Sequence, residues 1–458
     1  MSPTSDPAAP GPVVPDRARE DACPGALRLH TADDGALARV RLPGGLLTLD
    51  QVVTLAEAAE LLGDGHLETT SRGNVQLRGL PEDCGLELGT RLRAAGLLPS
   101  DRHERVRNIV ASPLSGVDGN GRADTRTWTR ELDTALCAAD WSPGLSGRFL
   151  FALDDGRGDV AGLDADVTLI ATAGGGALLR LGRSATALRV PAGREVEYAL
   201  RAAEAFLELL RASGVRAWRI READPDGALL GARLGLAAQP LPAEPTAAGP
   251  LPAGPRGSRS GAGALPRLGV IEGPDGRYGL SVGLRFGRVS AAQWRLLAEA
   301  GRAAGTAAGD GEGELRVTPW RGVVIPALTA GAARDRAARL SAAGLGLDPG
   351  SPWTLAMACT GTPGCAKSLA DVRGEAARAL EAAAAGGPSA ARLLPVHWSG
   401  CERRCGHPLG EWVDVLATGD GYEVSVRRPP STTGSPDSPQ RVTTQQMAEA
   451  VAEARRTT

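Results

Sequence analysis

Lysine is almost absent from this sequence of 458 residues: Lys367 is the only one among 51 basic residues, and all the others are arginine. No Gly-Lys-Ser or Gly-Lys-Thr triplet occurs, so a Walker-type phosphate loop is excluded. Excess charge of either sign is also lacking, since 53 acidic residues leave a net charge of −2. No general field therefore draws in nucleic acid or an anionic membrane, and any anion site must be local. Uncharged apolar runs of membrane-spanning length are missing. Residues 1–21 have neither the basic start nor the apolar centre of a secretory signal. A dinucleotide fingerprint is missing too, because Gly156-Arg-Gly158 sits in an Asp-rich loop without the required third glycine. Electrons from a nicotinamide would have to arrive through a separate reductase or ferredoxin.

Cysteine is sparse but concentrated. Of seven, four fall in two short Gly-rich segments, Cys359-Thr-Gly-Thr-Pro-Gly-Cys365 and Cys401-Glu-Arg-Arg-Cys405. An odd, clustered set argues against a secreted disulfide framework and for a cytoplasmic protein. Glycine permits tight curvature, so two thiols from each segment can converge on one metal centre. The gaps C-x5-C and C-x3-C are not the C-x2-C knuckles expected of structural zinc, and thiolates also suit iron–sulfur clusters. The residues alone leave three readings open: an iron–sulfur cluster, a zinc site, or unrelated buried thiols. His397 and His407 flank the second pair. They are candidates for packing or hydrogen bonding beside a metal, or for ligating a second, mononuclear iron. Cys23, Cys84 and Cys137 are isolated and read as ordinary thiols. Ser368-Leu-Ala-Asp371 reads as a capping box opening the helix after Cys365.

The spacing of apolar residues predicts an α+β fold in which one module occurs twice. Strand-like Leu37 to Leu42 precedes a helix over Thr48 to Leu62, opened by a Thr48/Gln51 capping box. Two short strands, His66 to Thr70 and Asn74 to Leu80, flank Ser71-Arg72-Gly73, and a helix ends near Ala94 to Leu97. The same β-α-β-β-α order returns through Leu280 to Phe286, Ser290/Gln293, Leu315 to Thr318, Val323 to Leu328 and Ala342 to Leu345. The offset is 242 residues from Gln51 to Gln293 and 248 from Thr70 to Thr318, an insertion that falls in the Gly301 to Gly313 loop. The predicted organisation is a disordered start (1–29), a first module (30–105), an α/β segment (106–238), a linker (239–266), a second module (267–348), an α/β segment bearing the four cysteines (349–428), and a linker with a terminal helix (429–458).

In the first module, Arg72-Gly-Asn-Val-Gln-Leu-Arg-Gly79 read as a strand puts Arg72, Asn74, Gln76 and Arg78 on one face and apolar residues on the other. Arg107 and Arg148 lie just beyond, so several planar donors can gather around one polyanion. The alternative is an ordinary solvated strand face.

These segments resemble the sulfite and nitrite reductase superfamily. The carriers are Thr69-Thr-Ser-Arg-Gly-Asn-Val-Gln-Leu-Arg-Gly-Leu80, Arg107-Asn-Ile-Val-Ala-Ser-Pro113 and the C-x5-C…C-x3-C pattern, and the likeness covers most of residues 30 to 428. It implies duplicated ferredoxin-like half-domains about a pseudo-twofold axis, a [4Fe–4S] cluster on Cys359, Cys365, Cys401 and Cys405, and a tetrapyrrole between the halves. It further implies that Arg72 and Arg107 contact tetrapyrrole carboxylates, with Asn74, Gln76, Arg78 and Arg148 as further tetrapyrrole-binding candidates, and that Cys405 faces the macrocycle.

One departure matters. Where the reductases carry Pro-Arg-Lys-Phe-Lys, this chain reads Ser146-Gly-Arg148-Phe-Leu150. The lost lysines serve a small oxyanion, so their loss points away from sirohaem-dependent reduction of sulfite or nitrite. The altered pocket resembles the oxygen-dependent monooxygenases of aerobic cobalamin biosynthesis, in which the tetrapyrrole is substrate. That likeness implies molecular oxygen as co-substrate, a mononuclear iron beside the cluster, and a separate electron donor.

Overall fold

The computed structural model describes residues 21, 23–241, 267–302, 313–385, 393–408, 410–428 and 439–456. The expected linker over 239–266, the Gly301 to Gly313 insertion and the second linker lie largely outside these residues.

Local capping starts the two principal helices in the same way. The Thr48 hydroxyl accepts from the Gln51 N–H at 3.2 Å while the Thr48 N–H donates to the Gln51 side chain at 3.0 Å, opening the helix Leu49–Leu62. Ser290 and Gln293 repeat both bonds at the same distances before the helix Ala291–Arg302. Each glutamine amide then reaches the end of a later helix, Gln51 to the Ala95 carbonyl and Gln293 to the Ala343 carbonyl. The two helices pack against each other in one shared core that includes Leu55, Ala59, Trp294 and Leu297.

Under them lie two five-stranded sheets of like order. The first runs His30–Ala32, Gly35–Val40, Val75–Leu80, His66–Thr69, Arg288–Ser290; the other runs Gly269–Glu272, Tyr278–Gly283, Gly322–Leu328, Glu314–Val317, Leu46–Thr48. The last strand of each sheet comes from the other half of the chain: Val289 pairs with Leu67, and Leu47 with Leu315. Neither sheet is complete without the other, because an unpaired edge would leave backbone N–H and C=O groups without partners.

The α/β segment after the first module is a six-stranded sheet, Ala238–Pro240, Thr186–Val190, Ala177–Leu181, Val167–Ala171, Phe151–Asp154, Ile109–Ala111, packed by the helices Thr125–Ala138 and Glu195–Ser213. The cysteine segment forms a sheet ordered Ala356–Ala358, Val396–Ser399, Trp412–Ala417, Tyr422–Arg427, Gln440–Val442, against which Val372–Ala385 and Met447–Arg456 pack. Its first three strands are parallel. The fold is α+β, and no helix among the described residues is long and apolar enough to cross a membrane.

Several expectations shift. Residues 23–29 do not lie free of the first module: the Arg39 N–H donates to the Gly25 carbonyl at 2.9 Å, and the Ala26 N–H donates to Glu104 at 2.7 Å. The helix after Cys365 is capped by Asp371, which accepts from the Gly374 N–H at 3.0 Å, and not by Ser368, whose hydroxyl donates to the Ala370 carbonyl. The terminal helix begins at Met447, since Gln440–Val442 joins the sheet as an edge strand.

Candidate functional site

Cys359 and Cys401 follow the carboxyl ends of two adjacent parallel strands, the place where open α/β sheets gather ligand-binding groups. The Cys359 N–H donates to the Trp398 carbonyl at 2.9 Å, and the Gly400 N–H donates to the Cys359 sulfur at 3.2 Å. Glycine is required at two points of this turn. A Cβ on Gly400 would stand 1.8 Å from the Ser368 hydroxyl, and one on Gly364 would stand 2.6 Å from an Asp34 carboxylate oxygen.

All four cysteines are free thiols. Burial pushes the Cys405 thiol up, Arg403 opposes this, and the neighbouring Cys401, Cys359 and Cys365 each push it further up. Among the described residues the only set of three or more metal-capable groups with donor atoms within 4.8 Å of one another is Asp154, Asp155 and Asp159. The cysteine sulfurs are therefore spread more widely than the edge of about 3.8 Å that a tetrahedral zinc with Zn–S of about 2.3 Å requires. A larger inorganic core held by four thiolates fits this donor set.

His397 is fully buried, and the Cys405 backbone is the polar group its ring approaches, short of a well-formed hydrogen bond. Burial first, then Arg321 and His407, press its pKa down to about 3, so the ring is neutral. It meets the Trp412 ring edge-on at 5.9 Å, while His407 stacks on that ring at 5.3 Å and joins its Nδ1 to the Pro408 carbonyl at 2.8 Å. The two histidines thus share Trp412, and they form no three-donor set with a third group.

The arginine face of the first sheet divides. Arg72 donates to the Gly147 carbonyl at 3.4 Å; burial and the nearby Arg219 press its pKa down to about 10. Arg148 lies over the Trp218 ring at 4.5 Å and 3.8 Å from Asp21. Gln76 accepts from Arg39 at 3.0 Å. Asn74 is 1% exposed, accepts from the Leu42 N–H and donates to Asn108, so it braces the sheet. Arg78 grips Asp34 and donates to the Gly364 carbonyl at 3.0 Å. Arg107 is bonded to Asp133 at 2.7 Å and to the Leu97 carbonyl at 3.0 Å, and it lines one small cavity with Arg39 and Arg41.

Two arginines that the motif reading passed over belong with Arg72. Arg39 and Arg41 alternate along Gly35–Val40 and its extension, on the same face as Gln76, and the period of two was the available signal. Arg41 is 3% exposed, shares the Gly147 carbonyl with Arg72, and leaves Nε and Nη1 without partners. Burial, then Arg39 and Arg72, press its pKa down to about 9. Like charges packed together with open donors are disposed to accept an anion.

Leu150 is 3% exposed and packs with Val110, Ala152, Val160 and Ala165, with Trp320 of the second half against the same cluster.

Residues 30–84 match the model of the nitrite/sulfite reductase ferredoxin-like half domain. Beyond the half domain, the chain is 28% identical over 416 residues to the precorrin-3B synthase of a Sinorhizobium species, across 89% of this chain and 83% of that one. It is 29% identical over 420 residues to the ferredoxin–nitrite reductase of Synechococcus elongatus, across 81% of this chain and 74% of that one. The fold is similar to that of the solved NirA protein of Mycobacterium tuberculosis, with a TM-score of 0.69 at 20% identity, covering 90% of this chain and 79% of that one. These relatives are oxidoreductases.

Proposed function

We propose that this chain is a precorrin-3B synthase, an oxygen-dependent monooxygenase that hydroxylates precorrin-3A at C20 with lactone formation in aerobic cobalamin biosynthesis. The observation that carries this reading is Leu150. Where the reductases carry a lysine, this chain has a buried leucine in an apolar cluster closed by Trp320, so no cation stands there to bind and protonate a small oxyanion. The likeness to precorrin-3B synthase over 89% of the chain supports the same reading.

In this proposal Cys359, Cys365, Cys401 and Cys405 hold a [4Fe–4S] cluster, which supplies electrons one at a time when bound. Arg39, Arg41, Arg72 and Arg148 bind and orient the substrate carboxylates, while Asn74, Gln76 and Arg107 keep that face in shape through their own partners. One atom of molecular oxygen enters the substrate, and two electrons from a separate donor carry the other to water. His397 and His407 stand as ligand candidates for a second, mononuclear iron. We also propose that the two like-ordered sheets are copies of one duplicated half-domain, which is supported by the paired Thr48/Gln51 and Ser290/Gln293 caps.

The test is incubation of the anaerobically reconstituted chain with precorrin-3A, oxygen and a reductant, followed by mass analysis. A product heavier by one oxygen atom is expected. The second reading, a sirohaem-dependent nitrite or sulfite reductase, is favoured by the nitrite reductase relatives. An intense sirohaem band with turnover of either oxyanion would establish it in place of the first.

A further inference from the structure

The two like-ordered sheets each close a hairpin with one hydrogen-bond scheme. In the first, the Thr70 N–H donates to the Asn74 carbonyl at 2.9 Å, Gly73 N–H to the Thr70 carbonyl at 3.1 Å, and Asn74 N–H to the Thr70 hydroxyl at 3.2 Å. In the second, Thr318 donates to the Gly322 carbonyl at 2.8 Å, Arg321 to the Thr318 carbonyl at 3.3 Å, and Gly322 to the Thr318 hydroxyl at 3.1 Å. Gly73 and Arg321 therefore hold the same place, and both are left-handed, with φ of 66° and 59°. Glycine takes this conformation freely, whereas an arginine is strained there.

A second pair repeats the exchange. The turn Pro43–Gly45 has Gly44 at φ 62°, and the turn Arg285–Gly287 has Phe286 at φ 53° in the matching place before its own short strand. The two strained residues touch, because Arg321 Nη1 donates to the Phe286 carbonyl at 3.2 Å. Both also reach the cysteine segment. The Phe286 ring packs on Trp353 at 5.3 Å and on Trp398 at 6.5 Å. Arg321 Nη2 stands 3.0 Å from where a Cβ on Gly406 would lie, directly after Cys405, and His397 Cε1 stands 3.9 Å from the same point. Of the two copies, it is the second, whose Arg321 reaches Gly406, that gives up its glycines at these places.

We propose that Arg321 is a positioning residue for the Cys405–Gly406 turn, and that its positive charge, held against Gly406, makes the cluster easier to reduce. The proposal rests on the four cysteines holding a [4Fe–4S] cluster. Reduction adds one negative charge to such a centre, and a guanidinium held close by in a poorly solvated place stabilises the reduced form. The strain at Arg321 and Phe286 is then offset by the contacts they make with the cysteine segment.

The test is a redox titration of the reconstituted full chain, followed by electron paramagnetic resonance of the reduced cluster. Arg321→Gly suits the left-handed turn, so it is expected to fold and to melt no lower than the parent. At a fixed solution potential its reduced-to-oxidised ratio should fall about tenfold, equivalent to about 59 mV for a one-electron couple. Arg321→Lys keeps the charge and should fall less far than Arg321→Gly. Arg321→Gln, neutral but still able to donate, is read in the same way and covers a failure of the glycine variant to load. A parent-like midpoint in both neutral variants would overturn the proposal. A parent chain without iron and acid-labile sulfide would overturn the cluster reading itself, and the proposal with it.

Discussion

Arg78 leaves the first sheet to donate its Nη2 to the carbonyl of Gly364, 3.0 Å away and one residue before Cys365. The same guanidinium is held by Asp34 at 2.7 Å. A strand of the half domain thereby fixes the loop that carries the second cysteine. Arg373 makes a parallel link, bonding the Glu68 carboxylate of the first sheet and the Cys359 carbonyl at 3.1 Å.

Arg78→Ala should loosen that loop. Losing charge-assisted hydrogen bonds of this kind costs roughly 1.5–3 kcal/mol. Thermal unfolding should show the loss, and iron per chain after reconstitution should drop while the α+β circular dichroism signature persists.

Cys401→Ser and Cys405→Ser should each abolish acid-labile sulfide in the reconstituted chain. Cys23→Ser and Cys137→Ser should leave it at the parent level, since neither thiol is among the groups that act on Cys405. Retention of full sulfide by the Cys405 variant would remove that residue from the ligand set.

Arg41→Met separates stability from binding. A buried guanidinium with two unpartnered nitrogens destabilises the ligand-free fold, so an apolar residue of similar length should raise the melting temperature. The same change should weaken binding of a polycarboxylate tetrapyrrole about tenfold or more, measured by equilibrium titration, since one charge-assisted contact is worth roughly 1.5–3 kcal/mol.

Asp159 gives a pH test away from the cysteines. Burial, then repulsion from Asp154, pushes its pKa up to about 7. Its folded value lies above its unfolded one, so its contribution is fully present below about pH 4 and is lost as pH rises through about 7. Asp159→Asn can still accept the Ser112 hydroxyl, which lies 2.6 Å from the native carboxylate. The variant should therefore gain on the parent between pH 5 and pH 8, by on the order of 2–4 kcal/mol in denaturant titrations.

The sequence by itself determined the local elements and the clustering of four cysteines in two short segments. The Thr48/Gln51 and Ser290/Gln293 caps formed as their spacing predicts, because a capping box needs only four consecutive residues. The strand alternation at Gln76 and Arg78, the helix Glu195–Ser213 and the cysteine segments were legible for the same reason. Contacts between distant residues were not. That Arg107 is spent on Asp133, that Arg41 is buried beside Arg72 with two of its nitrogens unpartnered, and that Trp320 packs against the cluster holding Leu150 depends on which elements pack together. The tertiary structure alone decided that each sheet borrows its last strand from the other half, since a three-residue strand such as Leu46–Thr48 carries no pattern that names its partner. It also decided that Arg321 takes a glycine's place with its guanidinium against Gly406, because a left-handed backbone is paid for by contacts that only the folded chain supplies.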